Sequence, residues 1–158
     1  MSNEQLNEAE DFFSGSARAF QFENIGDTCT GEIIEMVKRQ QTSLSDNQKL
    51  FWDDGSPRMM LVITVQTDDK VSDDDNGERT IYVRGGRYEV AKGKGGSMKD
   101  AIADALRQEG LRAPRLGDKI SVGYTGVGTA KKGYTAPKLY TAGYQKSVTQ
   151  AAADFFED

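Results

Sequence analysis

The sequence predicts an all-β domain with a single helix, and three observations lead to this fold class. Five short segments rich in apolar and β-branched residues are separated by clusters of turn residues. Only one segment repeats its apolar residues at helical spacing, and helix-capping residues stand at both of its ends. The length of 158 residues is that of one ordinary domain with room for tails.

The five predicted strands follow one another along the chain at residues 28–37, 58–67, 79–84, 118–125 and 138–144. The second, RMMLVITVQT, is the clearest because nearly all of it is apolar or β-branched. The predicted helix begins after Ser97, which forms a capping-box-like start with Asp100, and it ends at Gly110. Four apolar residues recur at helical spacing between these ends, namely Met98, Ile102, Ala105 and Leu106.

The order β-β-β-α-β-β is that of a five-stranded Greek-key OB-fold barrel, which carries its helix between strands three and four. Gly31 and Gly123 fit this prediction, since coiled barrel strands need sites without a Cβ where they bend. An open α+β sandwich with one helix is compatible with the same order. The predicted domain covers residues 20–146, between a flexible acidic N-terminal segment at 1–19 and an acidic C-terminal tail at 147–158.

The composition narrows the function classes. The chain has no histidine, which removes the commonest general base and the commonest metal ligand. Its one cysteine, Cys29, cannot form an internal disulfide and fits a reducing compartment. No apolar run approaches the length of a membrane helix and no secretory signal is visible, so we expect a cytoplasmic protein.

The charge is distributed unevenly along the chain. Residues 1–78 carry 6 Lys/Arg against 17 Asp/Glu, whereas residues 79–140 carry 13 against 5. Charges that merely segregate over a solvated surface would give the same counts. The basic stretch also holds aromatic residues and glycines, however, which favours a basic working surface.

Two segments that lie wholly or mostly in the basic stretch, 81–96 and 129–144, combine cations, tyrosines and glycines. This mixture suits unpaired nucleic acid, because rings stack on bases while guanidinium and ammonium groups meet phosphates. The predicted phosphate contacts are Arg84, Arg87, Lys92, Lys94, Lys131, Lys132 and Lys138. The predicted stacking residues are Tyr82, Tyr88 and Tyr134, with Trp52, Tyr140 and Tyr144 as further candidates. Trp52 could instead cap the barrel, and alternation leaves open whether Tyr140 and Tyr144 face a groove or the core.

Other motifs are incomplete. The string GKGGS departs from the phosphate-binding loop pattern, and the acidic residues 68–78 depart from the calcium-loop template. Four carboxylates could serve a small Mg²⁺-dependent nuclease, but no motif groups Asp27, Glu32, Asp53 and Asp54. We therefore expect a protein that is not an enzyme and that has no cofactor and no metal.

The C-terminus carries two phenylalanines among acids, Asp154, Phe155, Phe156, Glu157 and Asp158. This composition indicates a short linear peptide for another protein's pocket. The same Asp-Phe-Phe occurs at residues 11–13. Either copy could instead pack on the barrel, and the acidic tail could lie in the basic groove and compete with nucleic acid.

Four strings, together with the acidic phenylalanine-bearing end, resemble bacteriophage-type single-stranded DNA-binding proteins: NIGDTCTGEI, WDDGSPRMMLVITVQT, LGDKISVGYTGVG and KKGYTAPKLYTAGY. The resemblance covers about residues 20–146 and the tail. It implies sequence-tolerant binding of single-stranded DNA in phage DNA replication or recombination, inside a bacterial host cell. It also implies that the tail recruits replication or recombination proteins, although the bacterial prototype ends in Pro-Phe and this chain does not. Homo-oligomerisation stays open, and an OB-fold protein-interaction module without nucleic-acid binding is the alternative function.

Overall fold

All five predicted strands form, and they belong to one mixed sheet of six strands in the computed structural model. The structure describes residues 17–43, 45–84, 95–130, 132–133 and 135–147. Its elements are β1 (Arg18–Ala19), β2 (Thr28–Gln40), β3 (Met59–Gln66), β4 (Glu78–Arg84), α1 (Met98–Gln108), β5 (Lys119–Val127) and β6 (Lys138–Gln145). The all-β prediction with one helix between the third and fourth predicted strands is therefore confirmed.

The strands lie side by side in the order β1-β4-β3-β2-β5-β6. Only the β1–β4 pair is parallel. The predicted count of five becomes six because the two-residue β1, which lies inside the range assigned to the N-terminal segment, adds to the free edge of β4. Closure of a barrel is not confirmed, since no pairing joins β4 to β6 among the described residues.

Residues 18–22 lie between the two sheet edges instead. The Phe20 N–H donates to the Thr80 carbonyl of β4 (3.0 Å). Two residues later the Phe22 ring meets the Tyr140 ring of β6 edge-on, with centroids 5.4 Å apart. On the β6 side, Gly96 forms an isolated bridge with Tyr140.

β2 lies between β3 and β5 in the sheet, and it pairs with these two neighbours through different parts of its length. Residues 28–32 pair with β5, and residues from Glu32 onward pair with β3. Gly31 stands at this change, where a Cβ would lie only 2.2 Å from the Gln66 carbonyl oxygen. The crossing of the two backbones therefore requires glycine. A bulge between Ile33 and Glu35 then reverses which side chains face inward.

The core lies between the inner face of the sheet and α1. Its sheet residues include Ile33, Ile63, Val65, Ile81, Ile120 and Val122, and its helix residues are Met98, Ile102, Ala105 and Leu106. The helix begins as predicted, with the Ser97 hydroxyl accepting the Asp100 N–H (3.1 Å). It ends in a Schellman motif, in which Leu111 N–H donates to the Leu106 carbonyl and Gly110 has φ +72°.

A buried carboxylate secures the end of β6. Asp118 accepts hydrogen bonds from the Tyr144 hydroxyl (2.6 Å), the Arg115 Nε (2.9 Å) and the Ser147 N–H (2.9 Å). Burial alone would raise the pKa of this carboxyl, but these hydrogen bonds hold it below its ordinary value. Across the parts of the chain that the structure describes, no helix has the length and apolar character needed to cross a bilayer.

Candidate functional site

The outer face of β2, β3 and β4 brings exposed cations and an aromatic ring together. Directly opposite residues of antiparallel strands share a face, so the register defines rows of side chains. One row is Arg39, Met60 and Arg84, and the next is Val37, Val62 and Tyr82. We call these six residues the tyrosine–arginine face.

The two arginines and the tyrosine of this face are accessible to a ligand. Arg39 and Arg84 are exposed, and Tyr82 is 41% exposed although it belongs to a paired strand. Val62 is buried between Val37 and Tyr82 in its row. Strands spaced by about 4.8 Å place the two arginines roughly 10 Å apart across the sheet. The face is therefore apolar in the middle and cationic at both sides of one row.

Trp52 lies in the segment that joins β2 to β3, and we call residues 45–58 of this segment the Trp52 arm. The Trp52 N–H donates to Ser56 O (2.8 Å) and Gly55 N–H donates to Trp52 O (2.9 Å), which closes a tight turn. The Arg58 guanidinium lies 4.5 Å from the centroid of the indole ring, a cation–π contact. Arg58 is two residues before Met60, and its carbonyl accepts the Gln41 N–H (2.7 Å), so the outer face extends to this arginine.

Trp52 remains 42% exposed and the adjacent Phe51 is 54% exposed. Neither ring is buried as a barrel cap would be. The Arg58 side chain is half-buried, and its Nε donates to the Phe51 carbonyl (3.1 Å), which holds the guanidinium against the indole. The exposed indole at the end of the tyrosine–arginine face is therefore accessible to a ligand.

The predicted residues of β6 lie elsewhere. Tyr144 is buried in the core, and Tyr140 is half-buried against Phe22 and Tyr124. Lys138 is exposed, but its ammonium group donates to the Phe22 carbonyl and lies 5.2 Å from the Tyr124 ring centroid. The structure therefore answers the open question on the tyrosines: both turn toward the core, so Tyr140 does not join Tyr82 on one surface.

Lys132 is exposed in the turn between β5 and β6. The remaining predicted nucleic-acid contacts lie outside the described residues, namely Arg87, Tyr88, Lys92, Lys94, Lys131 and Tyr134. The tail residues Asp154, Phe155, Phe156, Glu157 and Asp158 also lie outside them. Of the predicted set, the structure therefore puts Tyr82 and Arg84 on one face and Trp52 on the arm that continues from it.

Three arginines of the basic stretch serve ion pairs. Arg79 contacts Asp75 in a buried bidentate pair (2.6 and 2.9 Å), Arg115 pairs with Asp118, and Arg107 pairs with Asp104 on the surface of α1. The Arg79 guanidinium, together with the N–H groups of Val71 and Gly77, holds the pKa of Asp75 far below its usual range. The acidic loop is thus fastened to β4 by Asp75.

Two of the four carboxylates considered for a nuclease take part in turns. Asp27 accepts the N–H groups of Glu23 and Asn24, and Asp54 accepts the N–H and the hydroxyl of Ser56. Within the described ranges, no three acidic or cysteine side chains gather in a way that could hold a metal ion.

Sequence reasoning missed Arg39, Arg58 and Met60. The predicted first strand ended at Val37, whereas β2 continues to Gln40. The residues Lys38, Arg39 and Gln40 are all polar, so they gave no strand signal. The bulge between Ile33 and Glu35 also changed which residues of β2 face outward. The proximity of Arg58 to Trp52 had a weak signal in the turn DDGSP, which brings the residues on either side of it together.

No family model, no curated protein and no solved structure matches the chain.

Proposed function

We propose that the protein is a non-enzymatic, sequence-tolerant single-stranded DNA-binding protein and that the tyrosine–arginine face with the Trp52 arm is its binding surface. The observation that carries the proposal is the register that puts exposed Tyr82 one row from Arg39 and Arg84. A base stacked on an exposed ring gains about 1–3 kcal/mol whatever its identity. The flanking guanidinium groups supply phosphate contacts, so the surface discriminates little between sequences.

The arrangement of strands supports the same proposal. With β1 set aside, the neighbours β4-β3-β2-β5 have the Greek-key order, in which the fourth strand returns beside the first. We propose an OB-type barrel whose second and third strands are β3 and β4. In such barrels these two strands and the loop before them bind oligonucleotides. Met60, Tyr82 and Arg84 belong to those strands, and Trp52 belongs to that loop.

Titration with a fluorescent oligo-dT tests the proposal. We expect the Tyr82→Ala variant to bind about 5- to 150-fold more weakly than the unmodified chain, because one stacking ring is lost. Tyr82→Phe keeps the ring and should retain most of the affinity. The fluorescence of Trp52 should fall on binding, since it is the single tryptophan and lies at the end of the face.

Lys119→Gln is a suitable control, because Lys119 is an exposed cation of β5. It lies opposite Glu32 in the β2–β5 register, away from the tyrosine–arginine face. Unchanged affinity in Tyr82→Ala would reject the face as the site. Absence of oligo-dT binding at low salt would reject the function itself.

The exposed Phe51 and Trp52 give a specific reason to keep a protein-interaction module as the second candidate. Aromatic side chains of this kind also anchor protein interfaces. Capture of a partner from lysate that persists after nuclease treatment, together with no affinity for oligo-dT, would favour this function over DNA binding.

A further inference from the structure

An open apolar groove lies between the inner face of the sheet and α1. It measures about 340 Å³ and is lined by Met59, Leu61 and Val83 from the sheet and by Ile102 and Leu106 from the helix. This volume is at the lower end of the roughly 300–1,000 Å³ typical of ligand clefts. The groove is on the opposite side of β3 from the tyrosine–arginine face, and Met60 at its end touches both.

Cations surround this apolar surface. Lys38, Lys99 and Arg112 all line the groove, and all three are exposed residues. Lys38 comes from β2, Lys99 from the first turn of α1, and Arg112 from the segment that follows the helix. An apolar floor with cations from three directions suits a peptide that combines aromatic and acidic side chains.

The described part of the chain ends close to this groove. The Ser147 N–H donates to Asp118, and the same carboxylate accepts from Arg115. Pro114, the residue before Arg115, lines the groove. The eleven residues that follow, 148–158, can extend by about 36 Å at 3.3 Å per residue. The end of the chain therefore reaches the groove easily.

We propose that the C-terminal segment, residues 148–158, docks in this groove. Neighbouring side chains of an extended segment point to opposite sides, so one ring of the pair Phe155 and Phe156 enters the cleft and the other covers its rim. The acids around them, Asp154, Glu157 and Asp158, meet the three cations. This docking does not depend on DNA binding, because it uses the inner face of the sheet.

Methyl NMR of the full-length chain, labelled at methionine, tests the docking. Met59 lines the groove and reports its occupancy, whereas Met98 is buried in the core and serves as the internal reference. Replacing Phe155 and Phe156 together by alanine should shift the Met59 methyl resonance, since a ring leaves its surroundings. The matched control replaces Phe12 and Phe13, which have the same Asp-Phe-Phe context near the N-terminus, and should leave Met59 unchanged.

A second variant tests the charges. Lys99→Glu should move the Met59 resonance in the same direction as the double alanine variant, because repulsion weakens docking. High salt should act likewise in the unmodified chain. The proposal is overturned if Met59 does not respond to loss of Phe155 and Phe156, or if it responds to the N-terminal pair instead. A response that disappears on dilution would also overturn it, because this would assign the groove to a second copy of the chain.

Discussion

At the scale of single residues, the buried pair of Asp75 and Arg79 attaches the acidic loop 68–78 to β4, although the composition of this loop is typical of a solvent-exposed segment. The acidic loop 68–78 offers several carboxylates, yet only Asp75 among the acids of 73–75 is buried. It accepts two backbone N–H groups of its own loop and two from Arg79. A buried cation paired in this way must keep its partner, because an uncompensated buried charge is strongly destabilising.

This pair makes stability depend on pH in a defined direction. The folded-state pKa of Asp75 lies below its value in the unfolded chain, so its contribution is complete at neutral pH. The contribution is lost as the pH falls below about 4, where the unfolded carboxyl takes up a proton first. We expect Asp75→Asn to be less stable than the unmodified chain at pH 7, with the difference shrinking at pH 3.

Urea unfolding at pH 7, 5 and 3 measures this difference. Asp73→Asn is the matched control, since Asp73 is exposed in the same loop and its replacement should change the free energy of unfolding by less than about 0.5 kcal/mol. A difference between Asp75→Asn and the unmodified chain that stays constant down to pH 3 would contradict the assigned role of the carboxylate.

At the scale of elements, β2 determines how the sheet is assembled. It pairs with β5 through its first residues and with β3 through the rest, and Gly31 lies at the crossing. The bulge that follows puts Val37 and Arg39 on the outer face, whereas simple alternation from Cys29 would have put them inside. One irregular strand thus positions both the crossing and one side of the candidate site.

Gly31→Ala tests the crossing. A Cβ at residue 31 would overlap the Gln66 carbonyl, so we expect a loss of about 1–3 kcal/mol in the free energy of unfolding. Gly143→Ala in β6 is the control, because its Cβ would meet nothing closer than 4.0 Å. Its effect should stay within about 0.5 kcal/mol. Equal effects of the two substitutions, measured by urea unfolding, would contradict the steric explanation.

The sequence predicts some parts of the site and not others for physical reasons. Tyr82 and Arg84 follow from alternation, because Ile81 and Val83 are buried and a regular strand has a period of two. Arg39 could not be found in this way, since a bulge leaves little trace in a single sequence. The sheet neighbour of each strand is likewise a property of tertiary pairing. β1 escaped prediction for the same reason, because two residues carry no periodic signal.

At the scale of the whole molecule, a chain of net charge −5 binds a polyanion only if its charges are arranged locally. The tyrosine–arginine face provides this arrangement, with Arg39 and Arg84 in one row and Arg58 beyond Met60. Three arginines of the basic stretch are occupied by ion pairs, namely Arg79, Arg107 and Arg115. The number of basic residues in the sequence therefore overstates the number that can meet phosphates.

The salt dependence of oligo-dT binding measures how many phosphate groups the protein contacts. Each phosphate contact to a single strand contributes about 0.7 to the slope of log affinity against log salt. We expect Arg39→Gln and Arg84→Gln each to reduce the slope by about 0.7, whereas Lys119→Gln should not change it. Weaker binding with an unchanged slope would show that these arginines do not contact phosphates.

The division of β2 between two partners also has a consequence during synthesis. Its later part can pair with β3 soon after that strand leaves the ribosome, but Thr28 must wait for Gly123. Gly123 follows Thr28 by 95 residues, and at roughly 5–20 residues per second their synthesis takes about 5–20 s. For that time the nascent chain holds one end of its central strand unpaired, and the order of translation leaves the β2–β5 ladder among the last parts of the sheet to form.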